Sequence, residues 1–324
     1  LNEAVLDDGQ ALYRVYSIHK KMRKATEITF TATELREKIR AVGGNPEAKT
    51  IDSAFRREIT HTYLPESPGQ IVFILGESYA QWPFLPQYNP PGNYLVSKGY
   101  KFSHSETCMS TKFMLAHGTG TMPAIYGYLS GLPDIGIYVN YEPQTYKSFY
   151  GTGIAANMKD LGYKTVFWYG GFGSWQNVRD FTLAQNFDEF HDAGSFSYTG
   201  GNAWGAPDKD LFREIAHYMR NHKNERIFHM IMTTSNHPPY DIDLSKTDFQ
   251  PEKISGHLPP SIPKDKKTLN ELGHIWYADQ VMGQFVEQTQ KTFPETLYII
   301  TGDHAERFNF AKEVDLQSLS SIPC

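Results

Sequence analysis

Residues 70–78 read Gln-Ile-Val-Phe-Ile-Leu-Gly-Glu-Ser, a short apolar run that ends in a glycine and a glutamate. A run of this length, rich in β-branched and aromatic side chains, predicts a strand that is buried on both faces of a parallel sheet. Four segments have this character, and they are Gln70–Leu75, Lys164–Trp168, Arg226–Met232 and Thr296–Thr301.

Helical patterns lie between these strand candidates. They cover Tyr146–Leu161, Asp208–Asn221, with Asp208 as the N-cap, and Leu272–Gln290. Residues 241–268 are rich in Pro, Lys and Asp, and this composition predicts a long surface loop. The alternation of strand and helix predicts an α/β protein, an α/β/α sandwich with a mostly parallel central sheet.

The chain ahead of the first strand has a different composition. Residues 1–66 are polar and predict a helical lead-in or linker, whereas residues 67–324 hold the main fold. Thr31 followed three residues later by Glu34 predicts a helix start with a capping box. Further apolar residues recur at roughly helical spacing: Tyr13, Val15, Ile18 and Met22.

Composition excludes several classes of protein. The net charge of −5 over 324 residues, with no basic stripe, argues against a nucleic-acid partner. The two cysteines, Cys108 and Cys324, cannot build a disulfide framework or a cysteine zinc site. No apolar stretch approaches the roughly 20 residues that span a bilayer.

Chemically active residues follow three of the predicted strands directly. Glu77 follows the first, the run Thr-Thr-Ser-Asn-His at 233–237 follows the third, and Asp303 and His304 follow the fourth. Ligands bind at the carboxyl ends of the strands in open α/β sheets, so we expect these side chains to converge there. Carboxylates and imidazoles gathered at one point favour a bound divalent cation. Each motif alone is also typical of an ordinary surface turn or helix start.

The stretch at 117–126 reads His-Gly-Thr-Gly-Thr-Met-Pro-Ala-Ile-Tyr and contains the candidate nucleophile. Pro123 suits the first turn of a helix, which places Thr121 at the helix N-terminus. There the helix dipole and free N–H groups stabilise an alkoxide or a phosphate. Thr119 is the rival nucleophile, and a plain N-cap is the alternative interpretation of Thr121.

Taken in order, Gly-Glu-Ser, Gly-x-x-Thr, Asn-His-Pro and Gly-Asp-His resemble the lipoteichoic acid synthase-type branch of the sulfatase/alkaline phosphatase superfamily. The resemblance runs from about residue 70 to about residue 305 and implies a sulfatase-like catalytic domain over residues 67–324. It implies that one divalent cation, preferably Mn²⁺, with Mg²⁺ or Zn²⁺ as alternatives, is bound. The residues that it implies as metal ligands are Glu77, Thr121, Asp303 and His304.

The resemblance also implies roles for residues outside the metal site. Thr121 takes up the phosphoryl group, and His237 contacts the phosphate. An arginine in the loop after the second strand does likewise, which points to Arg179, with Trp175 lining the site. The segment Tyr-Ala-Asp at 277–279 is interpreted as structural.

The implied activity is transfer of a phosphoglycerol-type headgroup from a phospholipid to a hydroxyl of a glycan or glycolipid acceptor, through a phospho-threonine intermediate. A phosphodiesterase or sulfatase-like hydrolase, a phosphoethanolamine transferase and a non-catalytic binding domain are the alternatives. The formylglycine sulfatases are excluded by motif, since Cys108 lies in Cys-Met-Ser-Thr-Lys. The loop that holds Trp175 and Arg179 is more similar to relatives that modify periplasmic glucans.

The resemblance places the domain on the extracytoplasmic face of a bacterial cell membrane. We expect transmembrane helices ahead of Leu1 and a missing C-terminal part after Cys324, so that this chain is one piece of a longer protein. The basic run at residues 20–24 could lie against anionic lipid headgroups, or it could be a solvated helix face.

Overall fold

The computed structural model describes residues 12–13, 16–17, 20, 29–55, 67–111, 114–132, 134, 136–309 and 316–324. Val15, Ile18 and residues 21–24 of the basic run lie outside the described residues, so their predicted helix is not tested. The predicted helix start at Thr31 is confirmed. Its hydroxyl accepts a hydrogen bond from the Glu34 N–H, and the Glu34 carboxylate accepts one from the Thr31 N–H.

Five parallel strands form one sheet, and each of the four predicted strands is present to within two residues. The strands are β1 (Gln70–Gly76), β2 (Lys164–Tyr169), β3 (Glu189–Asp192), β4 (Ile227–Met232) and β5 (Leu297–Gly302). Their order across the sheet is β3-β2-β4-β1-β5. The sequence did not predict β3, because this edge strand has one apolar residue, Phe190, among its four.

Helices cover both faces of the sheet, and short 3₁₀ turns connect several of them. The α-helices of the described residues are α1 (Ala32–Ala41), α2 (Ile51–Phe55), α3 (Pro91–Leu95), α4 (Ser97–Ser103), α5 (Thr121–Ser130), α6 (Ile154–Asp160), α7 (Val178–Ala184), α8 (Asp208–Asn221), α9 (Glu252–Ser255), α10 (Lys266–Thr292) and α11 (Leu316–Ser320).

Alternate residues of each central strand enter different cores. Phe73 and Leu75 of β1 belong to one buried cluster with residues of α5 and α7, whereas Val72 and Ile74 belong to another with residues of α8 and α10. Fully burying an apolar side chain of this size contributes about 1.5–3 kcal/mol, so both layers stabilise the sheet. The predicted α/β/α sandwich with a parallel sheet is confirmed.

Two predicted segments differ from the structure. The helix expected over Tyr146–Leu161 forms only as α6, after a 3₁₀ turn at Pro143–Tyr146. The intervening chain packs closely on α5, and a Cβ at Gly153 would lie 2.2 Å from the Leu129 carbonyl oxygen. The expected surface loop at 241–268 includes α9 and the buried side chain of Leu258.

Asp208 is not an N-cap, because Pro207 occupies that position in α8. The buried carboxylate of Asp208 instead accepts hydrogen bonds from the N–H groups of Thr234 and Ser235. It therefore fixes the chain that follows β4. Within the described part of the chain, no helix has both the length and the apolar composition needed to cross a bilayer.

Candidate active site at the carboxyl rim of the sheet

The strand order brings the predicted metal ligands to one place. β1 lies between β4 and β5, and Gly76 at the end of β1 is in register with Gly302 at the end of β5. The next residues, Glu77 and Asp303, therefore leave the sheet side by side. The Asp303 N–H donates to the Gly76 carbonyl, which extends the strand pairing to the rim.

Glu77, Asp303 and His304 form a buried cluster in which one ligand atom of each lies within 4.8 Å of the others. His304 Nε2 lies 3.4 Å from Glu77 Oε1 and 3.5 Å from Asp303 Oδ2. The sequence prediction had these three residues converging, and the structure brings them together.

Thr121 is the first residue of α5, and its hydroxyl points at the cluster. Its Oγ1 donates to Glu77 Oε2 at 3.0 Å. Gly120 immediately before it has φ of 95°, a conformation that glycine adopts without strain, and this turn directs Thr121 inward. Thr119, the rival nucleophile, is exposed.

Residues next to the predicted ligands hold them in place. Ser78 has φ of 51°, a strained value at which its N–H donates to Asp303 Oδ1 and its hydroxyl donates to Glu77 Oε1, both at 2.8 Å. Thr233 Oγ1 accepts from the Glu77 N–H, and Asn236 Nδ2 donates to the Glu77 carbonyl. Sequence reasoning assigned no role to Ser78, Thr233 or Asn236, although each lies in a segment that directly follows β1 or β4.

The charges of the cluster are strongly coupled. Burial opposes ionisation of Glu77, but the hydrogen bond and charge of His304 hold the Glu77 pKa below its usual range. Burial, and then the charge of Glu77, raise the pKa of Asp303. Burial opposes a charged His304, but the charge of Asp303 and the neighbouring carboxylates of Glu306 and Glu77 raise the pKa of His304. The two carboxylates therefore repel each other, and a positive charge beside them stabilises their ionised forms.

The residues fit a divalent cation. Asp303 Oδ2 is buried and receives no hydrogen bond from the described residues, so an oxygen lone pair beside Glu77 and His304 is available. Glu306 Oε2 lies 3.1 Å from His304 Nδ1, and His304 Nε2 faces the carboxylates of Glu77 and Asp303. A carboxylate behind a ligating imidazole is the usual outer support of a metal site. Two carboxylates, an imidazole and a hydroxyl suit a hard or borderline ion.

His237 lies beside the cluster without being one of its ligand groups. Burial lowers its pKa, and the charges of Glu77, Arg307 and His304 also act on it. Its Nδ1 lies 2.5 Å from the Pro238 carbonyl, which can only accept a hydrogen bond. The neutral ring therefore keeps its proton on Nδ1 and presents a lone pair at Nε2.

Arg307 is the arginine that the structure places against the cluster. Its Nε donates to Ser78 Oγ at 2.7 Å and lies 3.3 Å from Glu77 Oε1. The terminal nitrogens of its guanidinium have no acceptor among the described residues. Sequence reasoning missed Arg307, which lies four residues after Asp303 and outside the motifs that carried the prediction.

Trp175 lies in a 3₁₀ turn that follows β2, and Arg179 is the second residue of α7, so the sequence prediction of one loop holding both residues is corrected for Arg179. Arg179 is exposed, and within the described ranges it makes no ion pair with Glu77 or Asp303. The half-buried Trp175 packs on Tyr169, with ring centroids 6.1 Å apart. Burial and then the charges of Glu77 and Asp303 raise the pKa of Tyr169, so Trp175 contacts a residue that borders the cluster.

The strand order and the flanking helices form an α/β sandwich with chemically active residues at the carboxyl rim of its sheet. The sequence profile of the Sulfatase family matches residues 70–318, which is most of the chain. The chain therefore belongs to the sulfatase family.

Known relatives agree with the lipoteichoic acid synthase-type branch. The lipoteichoic acid synthase of Staphylococcus saprophyticus is 24% identical over 196 residues, which are 57% of this chain and 28% of that protein. This chain thus spans less than a third of the length of that relative.

Two bacterial proteins are among the solved structures that share the fold. A Vibrio parahaemolyticus protein of the alkaline phosphatase superfamily superimposes with a TM-score of 0.68 at 20% identity, covering 91% of this chain and 68% of that chain. The Streptococcus pyogenes phosphoglycerol transferase GacH, solved in complex with sn-glycerol-1-phosphate, superimposes with a TM-score of 0.55 at 14% identity. That match covers 95% of this chain and 72% of GacH.

Proposed function

We propose that this chain is the catalytic domain of a metal-dependent phosphotransferase that moves a phosphoglycerol-type headgroup from a phospholipid to an acceptor hydroxyl. The observation that carries the proposal is the hydrogen bond from Thr121 Oγ1 to Glu77 Oε2, which joins a hydroxyl at a helix N-terminus to a buried carboxylate cluster. The name of GacH, a phosphoglycerol transferase, supports the choice of headgroup.

In the first displacement, Thr121 Oγ1 forms a bond to phosphorus and the phosphorus–oxygen bond to diacylglycerol breaks. One proton leaves Thr121 and one is taken up by the diacylglycerol oxygen, so the donor is converted to diacylglycerol and a phospho-threonine diester. The free N–H groups at the start of α5 stabilise negative charge at the phosphoryl group. The terminal guanidinium nitrogens of Arg307 are available to hold its oxygens.

In the second displacement, the acceptor hydroxyl oxygen bonds to phosphorus and the bond from phosphorus to Thr121 breaks. The proton of the acceptor hydroxyl passes to the lone pair on His237 Nε2, and one proton returns to Thr121. His237 therefore serves this step better as a proton acceptor than as a donor to the phosphate, because Nδ1 is already engaged by Pro238.

One divalent cation, preferably Mn²⁺ with Mg²⁺ or Zn²⁺ as alternatives, would be held by Glu77, Thr121, Asp303 and His304 and supplies Lewis-acid stabilisation of the alkoxide and the phosphoryl charge. The donor is a phospholipid and the acceptor a glycan or glycolipid. The site works on the extracytoplasmic face of a bacterial membrane, to which other parts of the whole protein would anchor it.

The test measures release of diacylglycerol from phosphatidylglycerol vesicles that carry a fluorescent acyl chain. Thr121→Ala should lose activity by about three orders of magnitude or more while its thermal unfolding is unchanged. Thr119→Ala, two residues away in the same turn, is the matched control and should remain active. An inactive Thr119→Ala together with an active Thr121→Ala would overturn the assignment.

Mass spectrometry of the peptide that contains Thr121 identifies the transferred group. A glycerophosphoryl adduct after brief reaction supports phosphoglycerol transfer. An adduct that forms only with phosphatidylethanolamine vesicles supports the phosphoethanolamine alternative. Diacylglycerol release that continues at the same rate when acceptor saccharides are added, with no saccharide product, supports the hydrolase.

A further inference from the structure

Trp204 is a large aromatic side chain exposed at the edge of the active site. Its side chain is 41% exposed, yet its ring packs against His237 with ring centroids 4.4 Å apart and an interplanar angle of 41°. Its indole N–H has no partner among the described residues. The exposed indole therefore contacts the imidazole to which the proposed function assigns proton transfer from the acceptor.

The turn that carries Trp204 is held firmly. Asn202 and Gly205 exchange two backbone hydrogen bonds, and Asn202 Oδ1 accepts from the Trp204 N–H. Gly201 and Gly205 have φ of 87° and 142°, which favour glycine. These contacts fix the backbone of the turn, and the indole is held on its His237 side by the ring contact.

The same turn is anchored to the rim of the sheet. A Cβ at Gly205 would lie 2.0 Å from the Gly170 carbonyl oxygen, so only glycine permits this approach to the end of β2. The next residue, Ala206, donates its N–H to that same carbonyl and accepts from the Thr234 hydroxyl. The Trp204 turn is therefore connected to the two segments that follow β2 and β4.

We propose that Trp204 is the platform on which a pyranose ring of the acceptor glycan stacks, with one hydroxyl directed at His237 Nε2. A pyranose has an apolar C–H face, which an indole binds by dispersion, and a rim of hydroxyls, which the indole N–H and the imidazole can hydrogen-bond. This inference rests on the proposed function and adds to it the residue that binds a sugar ring of the acceptor. It assigns Trp204 to acceptor binding and gives it no part in binding the phospholipid donor.

The experiment compares two acceptors in the diacylglycerol-release assay with phosphatidylglycerol vesicles. One acceptor is a β-linked glucose disaccharide, and the other is glycerol, which offers hydroxyls without a ring. Trp204→Ala should raise the KM for the disaccharide about ten- to thirty-fold with little change in kcat. The KM for glycerol and the rate of donor cleavage without acceptor should be unchanged.

Two variants serve as controls. Trp204→Phe keeps an aromatic face and should restore most of the disaccharide KM. Phe149→Ala removes an aromatic residue of similar exposure, 50%, that makes no ring contact among the described residues, and it should leave the KM unaltered. An unchanged disaccharide KM in Trp204→Ala, or an equal loss with glycerol, would overturn the proposal.

A binding measurement separates this inference from the proposed function. In Thr121→Ala the disaccharide should change the tryptophan fluorescence, and Thr121→Ala combined with Trp204→Phe should lose that change. Such binding supports the acceptor platform even if the wild type releases no diacylglycerol, which would overturn the proposed function alone. A Trp204 signal that responds to phosphatidylglycerol vesicles and not to the disaccharide would identify a membrane contact and overturn the inference.

Discussion

The carboxylate of Glu306 lies 3.1 Å from His304 Nδ1, on the side of the imidazole that faces away from Glu77 and Asp303. When a cation lies on the Nε2 side of the ring, the negative charge of Glu306 beside Nδ1 favours the neutral tautomer that carries its proton on Nδ1. Glu306 is therefore a positioning residue for the proposed metal site.

Replacing Glu306 should weaken metal binding without removing a ligand. Glu306→Gln should lower the affinity for Mn²⁺ about 10- to 100-fold, because the imidazole becomes less basic and less firmly oriented. Isothermal titration of chelator-treated protein with Mn²⁺ measures this directly. Glu295→Gln, at an exposed glutamate between α10 and β5, is the matched control. Equal Mn²⁺ affinities in Glu306→Gln and the wild type would show that Glu306 does not support metal binding.

Arg307 and Arg179 can be distinguished as phosphate-binding residues. Arg307→Ala should reduce kcat/KM for phosphatidylglycerol about 10- to 100-fold, because a charge-assisted hydrogen bond to the donor phosphate is lost. Arg179→Ala should change it less than three-fold, since Arg179 is exposed and does not contact the cluster. Arg307→Lys should recover part of the loss, because lysine keeps the positive charge of the arginine. A larger loss in Arg179→Ala than in Arg307→Ala would show that Arg179, and not Arg307, binds the donor phosphate.

The buried His229 should make the free energy of unfolding depend on pH. This buried residue of β4 accepts a hydrogen bond from Trp168 Nε1, and its Nε2 donates to Gln70 Oε1. Burial, and then the charge of His222, lower its pKa from 6.5 to about 3. Between pH 6.5 and pH 3 the unfolded chain binds a proton at this residue and the folded chain does not. The contribution of His229 to the free energy of unfolding is therefore full above pH 6.5 and decreases as the pH drops toward 3. The slope approaches about 1.4 kcal/mol per pH unit.

The measurement is urea unfolding at pH 7, 6, 5 and 4. His229→Gln should be less stable than the wild type at pH 7, yet it should lose less stability between pH 6 and pH 4. His217→Gln, at an exposed position of α8, should follow the wild-type curve. Parallel curves for His229→Gln and the wild type would show that the acid-sensitive group lies elsewhere.

Asp279 is a structural residue, as its sequence position before β5 indicated. Its buried carboxylate accepts hydrogen bonds from the Tyr79 hydroxyl and from the N–H groups of Lys98 and Gly99. Asp279→Ala should reduce the free energy of unfolding by about 3–4 kcal/mol, because three donors lose a buried acceptor. Asp160→Ala at the exposed end of α6 should change it by less than about 0.5 kcal/mol. A loss below about 1 kcal/mol would contradict the role of Asp279.

The sheet and the metal cluster could be predicted because they depend on local patterns. Each central strand is mostly apolar and buried on both faces, and Glu77, Asp303 and His304 follow strands that parallel pairing aligns at one edge. β3 could not be found, because an edge strand needs fewer apolar residues than a central one. Its pairing with β2 stabilises the segment Glu-Phe-His-Asp, which carries no strand pattern of its own.

Arg307 and Trp204 could not be predicted, because neither belongs to a periodic pattern or a recognised motif. Arg307 reaches Ser78 only because the chain turns back after β5, and Trp204 reaches His237 only because Gly205 packs on Gly170. The same holds for Glu306, whose role depends on the orientation of the His304 ring. Side-chain direction in irregular segments is set by tertiary contacts, which one sequence does not display.

The parallel sheet also constrains the order of events during folding. β1 cannot pair fully until β4 and β5 have been made, and the contact between the Ser78 N–H and Asp303 Oδ1 closes a loop of 225 positions. Such distant pairing carries a large entropic cost and gives slow folding, in contrast to a chain of neighbouring hairpins. A nascent chain that stops short of β5 would carry Thr121 and Glu77 but could not bind the ion tightly. Cation uptake would therefore be a late step and a direct report that folding is complete.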